Sequence, residues 1–221
     1  SLALKEVSIG DTDKVVRGVA LGGISLIAAI IAVFLGVGLV YKEIEKKTIY
    51  TLASKPLPRW QLLLGKYVGL WLTMAAEVAL LGVFYTVIVG AQQGLPGGGV
   101  YLSLGLLMFE LTLLTAWATL FSTFAAPMTA SAFTICIYLV GHLADDLALF
   151  AQRADEGPFK TMLEGLYRVV PNLEMFNVRT EAVHGIVVPA AEVAWTAAYG
   201  LGYTAAVLAV AMLIFQKRDF K

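Results

Sequence analysis

The sequence predicts an all-α integral membrane protein with five visible transmembrane helices, and three observations carry that prediction. Of its 221 residues, 59% are hydrophobic and only 14% charged, where soluble domains average about 25% charged. Five runs are long and apolar enough to cross a bilayer, which takes about 20 residues: roughly 18–41, 62–90, 101–124, 128–150 and 191–215. The densest basic stretch, KEIEKKTIYTLASKPLPRWQLLLGK, lies between the first two runs and holds Lys42, Lys46, Lys47, Lys55, Arg59 and Lys66. The whole chain, 1–221, reads as a single membrane domain.

The chain opens on SLALKEVSIGDTDKVVRG, a polar stretch without the apolar core of a signal peptide. The first span follows at 18–41. Basic residues in short loops favour the cytoplasm, so the loop at 42–61 and the tail QKRDFK are expected inside, and the spans then alternate consistently. The segments expected outside carry Asp11, Asp13, Asp145, Asp146, Asp155, Glu156, Glu164, Glu174 and Glu181, and they are net acidic. This topology leaves Ser1 outside. The expectation is therefore a sixth span upstream of Ser1, with both ends of the intact protein in the cytoplasm; the alternative is five spans with a translocated N-terminal tail.

The loop itself has helical character over 42–55. Glu43 precedes Lys47 by four residues, the favoured order, and Tyr41, Ile44, Thr48 and Leu52 share one face. Pro56 and Pro58 end the helix, and a new one starts near Arg59 and Trp60. One reading is an interfacial helix lying on anionic headgroups. The other is a docking helix for a soluble motor, favoured mildly by Glu43 and Glu45, which would gain nothing on an acidic lipid surface.

The second and third spans carry the costliest residues. Glu77 and Glu110 fall near mid-bilayer, where a carboxylate is expensive unless paired, hydrated or protonated. The short connection AQQGLPGGG makes these helices antiparallel neighbours, with the two acids at similar depth. They line a hydrated path or share a proton, or each holds the bundle together through a hydrogen bond to a neighbouring helix. Thr112, Thr115, Thr119 and Ser122 form a stripe opposite Glu110, the pattern of helix packing. In the fourth span Ser131, Tyr138, His142 and Asp145 or Asp146 share a face, and His142 with Asp146 is an i,i+4 pair. A His142–His184 metal site would have too few ligands.

Segment 151–189 is too polar to span. Pro158 precedes FKTMLEGLYRVV and Pro171 precedes NLEMFNVRTEAVHG, so two short amphipathic outer helices are expected, with Asn172 capping the second. The alternative is a plain folded loop. Pro189 opens the last span, and Glu192 falls in its first turn, where the helix dipole favours an acid.

Several function classes are excluded or unsupported. A net charge of zero gives no reason to expect nucleic acid. A single Cys136 excludes a disulfide within the chain and a cysteine-rich metal site. No GxxxxGK[ST] phosphate loop, HExxH or Ser-His-Asp pattern is legible.

The stretch GVGLVYKEIEKKTIYTLASKPLPRWQLLLGKYVGL resembles the ABC-2-type permease family, the membrane subunits of certain ATP-binding-cassette exporters. The shared pattern is an acidic-x-acidic helix with a threonine, a Ser-x-Pro-x-x-Arg turn and a Leu-Gly-Lys at the next span. Glu43, Glu45, Thr48, Ser54, Pro56, Arg59, Gly65 and Lys66 supply it here. YRVVPNLEMFNVR is similar to an outer segment of one branch of that family. The family's first helix has no counterpart.

The resemblance implies a type V-like exporter fold with a coupling helix at 42–55 and short outer helices that gate the exit side. It implies ATPase-coupling residues Lys42, Glu43, Glu45, Lys46, Thr48 and Arg59, and a partner ATPase subunit that binds ATP and Mg. It also implies a second permease copy and the inner membrane of a bacterial or archaeal cell. Catalytic, cofactor-binding and metal residues are expected to be none. Glu77, Glu110, Tyr138 and His142 are the candidates for the translocation path or polar contacts of the bundle. The alternatives are an intramembrane enzyme using Glu77, Glu110 or His142, and a non-transporting scaffold. The transported substrate is not readable.

Overall fold

A computed structural model of the chain describes residues 2–45, 59–154 and 157–217, with 2–13, 39–45, Arg59 and Gln93 described by their backbone alone. In chain order the helices are α1 (Leu2–Glu45), α2 (Arg59–Gln93), α3 (Gly98–Ser122), α4 (Pro127–His142), α5 (Ala144–Arg153), α6 (Pro158–Val169), α7 (Arg179–His184) and α8 (Ala190–Lys217), with a 3-10 turn at Glu174–Phe176. Among the described residues no strand occurs. Stretches of α1, α2, α3 and α8 are long and apolar enough to cross a membrane, and the α4–α5 pair makes a fifth span if it is counted as one.

The helices run up and down between two ends. One end gathers α5, α6, α7 and the turn between them; it is called the cap end below. The other holds the short turn between α3 and α4, and the α1–α2 connection leaves from it. The α3 helix is central and packs against α1, α2, α4, α7 and α8. It is buried almost all round through its second half, with Leu111, Leu113, Leu114, Ala116 and Ala118 all fully enclosed. Its threonines bond to its own carbonyls, and a mostly apolar helix of this kind is one a bundle can surround. Leu70, Met74 and Val78 of α2 meet Ala28, Ala29, Ala32 and Val33 of α1 over Leu107, Leu111 and Leu114. The alanines and Gly36 let the backbones close in: a Cβ on Gly36 would lie 2.6 Å from that of Ala118. Close approach through small residues is how helices associate in lipid.

Three features depart from expectation. The polar opening stretch is helical, so α1 is one helix from Leu2 to Glu45. No break separates a span ending at residue 41 from a helix starting at 42, because nothing between Gly38 and Glu45 interrupts the hydrogen-bond ladder. The remainder of the expected coupling helix, from Lys46 on, lies outside the described residues.

The expected fourth span at 128–150 is broken at Leu143, and its two halves bend by 66°. The sequence after the break, ADDLALFAQR, puts Asp145 and Asp146 in a new first turn and Arg153 in the last. Those charges suit a helix dipole of their own and oppose continued burial in hydrocarbon.

The outer segment holds the two helices expected, α6 and α7, but the second is only a short one. The second piece divides into the 3-10 turn and the short α7, parted at Asn177, whose ψ of 85° lies outside the helical region. Its apolar residues do not lie on a surface. Leu173 and Phe176 are buried in the bundle against Leu106 and Leu113.

Candidate functional site

The expected coupling residues that are described fall at one end of the molecule. Lys42, Glu43 and Glu45 form the last turns of α1, and Arg59 is the first residue of α2. Lys46 and Thr48 lie outside the described residues.

The expected path residues do not all come together. Glu110 and His142 meet, with Glu110 Oε1 3.5 Å from His142 Nε2, and the two side chains are 2% and 18% exposed. Tyr138, one turn before His142, lays its ring on the imidazole at 4.5 Å between centroids. His142 Nδ1 is 3.0 Å from the Tyr138 carbonyl. A carbonyl only accepts, so Nδ1 carries the proton there. Nε2 then faces a carboxylate oxygen, and the contact attracts only with a further proton: on Glu110, donating to Nε2, or on Nε2 itself. At 3.5 Å the two atoms face each other, and neither makes a hydrogen bond among the described residues. The i,i+4 partnership of His142 with Asp146 does not form, because the break at Leu143 turns α5 away.

Glu77 stands apart. Trp71 donates its Nε1–H to Thr112 Oγ1 at 2.9 Å, and a Cβ on Gly82 would touch Leu104. These pairs set residue 77 of α2 level with 107–108 of α3, within about 4 Å along the axis of Glu110 at 1.5 Å per residue. The depth match expected from sequence therefore holds. Yet both Glu77 carboxylate oxygens are buried without a hydrogen-bond partner among the described residues.

The threonine stripe is spent on helix packing, as its pattern suggests. Thr112, Thr115 and Thr119 donate to the carbonyls of Met108, Leu111 and Thr115. Thr112 also ties α2 to α3, accepting from Trp71 while its carbonyl accepts from Tyr67 at 2.6 Å.

The residues that sequence reasoning missed come from the cap. Arg179 and Glu174 lie close enough to act electrostatically on Glu110, Tyr138 and His142. They are held by a relay of hydrogen bonds. Arg179 Nε donates to Asn177 Oδ1 at 2.6 Å, and Asn177 Nδ2 to Glu174 Oε1 at 2.7 Å. The Glu174 amide donates to Asn172 Oδ1, and Asn172 Nδ2 to Asp145 at the head of α5. Asn172 thus caps the 3-10 turn, where a longer helix was expected. Its own amide donates to the Tyr199 hydroxyl of α8, and the Leu173 amide donates to the Gly141 carbonyl at 3.0 Å. That last bond satisfies a carbonyl beside the α4 break.

The site is therefore a buried acid–imidazole pair roofed by a charged, internally bonded cap, with Ser25 of α1 buried beside it. Such a pair can hold and pass a proton and can bind a polar group inside the bundle. His184 is exposed on α7 and bonded to the Thr180 carbonyl. Among the described residues no group of three or more metal-binding side chains occurs.

The family model described as ABC-2 family transporter protein matches residues 2–220 of the chain. Comparison with curated proteins returns no match.

Proposed function

The chain belongs to the ABC-2 transporter family, and from that premise we propose that it forms the translocation path of an ATP-driven exporter, as a permease subunit paired with a second copy and with separate ATPase subunits. ATP and Mg bind on those partners. The basic connection after α1 lies in the cytoplasm of a bacterial or archaeal cell, and the cap end faces outward; the charge asymmetry of the loops supports this orientation. Lys42, Glu43, Glu45, Lys46, Thr48 and Arg59 seat against the ATPase. Glu110, His142 and Tyr138 form the polar contact of the bundle beneath the gate, and Glu77 faces the path only in another state.

The observation that carries this reading is α1. It packs along the membrane bundle and continues unbroken to Glu43 and Glu45, so movement of an ATPase against those residues reaches the bundle without an intervening joint. Reversing both charges, Glu43→Lys with Glu45→Lys, is expected to abolish substrate-stimulated ATP hydrolysis in the reconstituted complex while the subunit still folds. Unchanged stimulation in that double variant overturns the coupling role.

One observation favours a second reading, an intramembrane enzyme: an acid and an imidazole, Glu110 and His142, face each other at 3.5 Å inside the bundle. That reading requires turnover by the chain without its ATPase.

A further inference from the structure

The cap end holds a cavity of about 510 Å³ between the start of the α1 span and α7, within the range of about 300–1,000 Å³ typical of small-molecule sites. Its lining has a consistent chemistry. Lys14, Arg179 and His184 supply cationic or proton-donating groups, and Asn177 and Thr180 supply polar ones; no carboxylate is among its described lining residues. Val15, Val19 and Val183 line the remainder, and Val15 and Val19 are strongly exposed.

Position sharpens the point. Lys14 lies one helical turn before the apolar run of α1 that begins near residue 18, so the cavity lies where hydrocarbon gives way to headgroups. The guanidinium is set in place. Its Nε is committed to Asn177, which Glu174 fixes in turn, and a Cβ on Gly22 of α1 would sit 3.6 Å from Nη1. A planar guanidinium held by Nε and backed by a second cation matches a phosphate, which it can grip with two parallel N–H groups. The aliphatic wall running from Val15 to Val19 along α1 matches a chain leading into the membrane.

We propose that this vestibule binds the phosphate headgroup of an anionic membrane lipid, with the phosphate on Arg179 and Lys14 and an acyl chain along Val15 and Val19. The site requires no nucleotide and no partner subunit. Its failure and the failure of ATPase coupling are therefore separate results.

The test is native mass spectrometry of the full chain released from nanodiscs of phosphatidylglycerol or phosphatidylcholine. The unaltered protein is expected to retain phosphatidylglycerol in preference to phosphatidylcholine. Arg179→Gln should lower that retention by about tenfold or more, the scale of a lost charge-assisted hydrogen bond. Lys14→Gln, on an exposed side chain, should lower it several-fold with an unchanged melting temperature, which keeps the test valid if the Arg179 variant folds poorly. Lys160→Gln on α6 should change nothing. Equal retention in the Lys14 variant, or equal retention of the two lipids, overturns the proposal. So does millimolar inorganic phosphate binding to protein that holds no phosphatidylglycerol, which would mark a site for a free anion.

Discussion

Gly141 is where the cap is pinned to the bundle, and replacing it with alanine tests that pin. The added Cβ would lie 2.7 Å from Leu173 Cγ and 2.9 Å from both Leu173 Cδ1 and the Pro171 carbonyl oxygen. Leu173 is fully buried, and the carbonyl is backbone, so neither can yield without moving the segment. Overpacking of this kind costs about 1–3 kcal/mol. Displacing the segment also weakens the Leu173 N–H···Gly141 O bond, for about 1 kcal/mol more. The better helix propensity of alanine returns up to about 1 kcal/mol. The net loss of about 1–3 kcal/mol should appear locally, as amide exchange over residues 171–178 that is about 5- to 150-fold faster at 1.4 kcal/mol per decade. The assay is hydrogen exchange read by mass spectrometry in detergent. Gly165→Ala on α6, where an added Cβ meets nothing within 4 Å, is the control and should be neutral or slightly stabilising. Wild-type exchange over 171–178 in the Gly141 variant would refute the claim that this contact seats the cap.

Glu110→Gln keeps a donor facing His142 Nε2 and should shift the melting temperature by only a few degrees. Glu110→Ala leaves a void, for roughly 2–4 kcal/mol; a Gln variant as unstable as the Ala variant would sink the description of Glu110 and His142 as a facing polar pair. Asn172→Ala removes the bonds to Asp145 and to the Glu174 amide and should cost about 1–3 kcal/mol in denaturation, and Asn177→Asp should also destabilise, because it keeps an acceptor for Arg179 but sets a carboxylate where Asn177 donates to Glu174. Trp71→Phe breaks the α2–α3 tie and should cost about 0.5–1.5 kcal/mol, since Thr112 keeps its bond to Met108. A thiol at Lys47→Cys should resist membrane-impermeant reagent in intact cells, and ready labelling from outside would reverse the orientation.

What the sequence made legible was whatever a one-dimensional pattern can carry. Apolar runs starting near 62, 101 and 191 fall within α2, α3 and α8, because a membrane helix is written as length and hydropathy. The depth match of Glu77 and Glu110 followed from a short connection between antiparallel helices. The threonine stripe was read correctly as packing, since residues on one face of a helix keep their spacing in three dimensions.

The pairing of His142 was not legible. Periodicity assumed an unbroken helix through Leu143, and the bend delivered Glu110 in place of Asp146. Arg179 and Glu174 lie in the stretch YRVVPNLEMFNVR, whose resemblance to an outer segment gave no sign of contact with the bundle. Charged residues in a segment too polar to span read as solvent-facing, and only the burial of Leu173 and Phe176 folds that segment over the site. The helical opening of α1 was hidden by polar residues, which say little about helix formation once a span anchors one end.

The unbroken geometry of α1 has a consequence for the vestibule. From Lys14 to Glu45 the axis is about 46 Å long at 1.5 Å per residue. Pivoting this rod by about 5° over its full length would carry its Lys14 end sideways by about 4 Å. The wall formed by Lys14 and Val19 would slide past Arg179, whose Nε is fastened to Asn177 of the cap. A headgroup held between them would lose one of its two cations at each swing, so occupancy of the vestibule and the posture of the rod become a single variable.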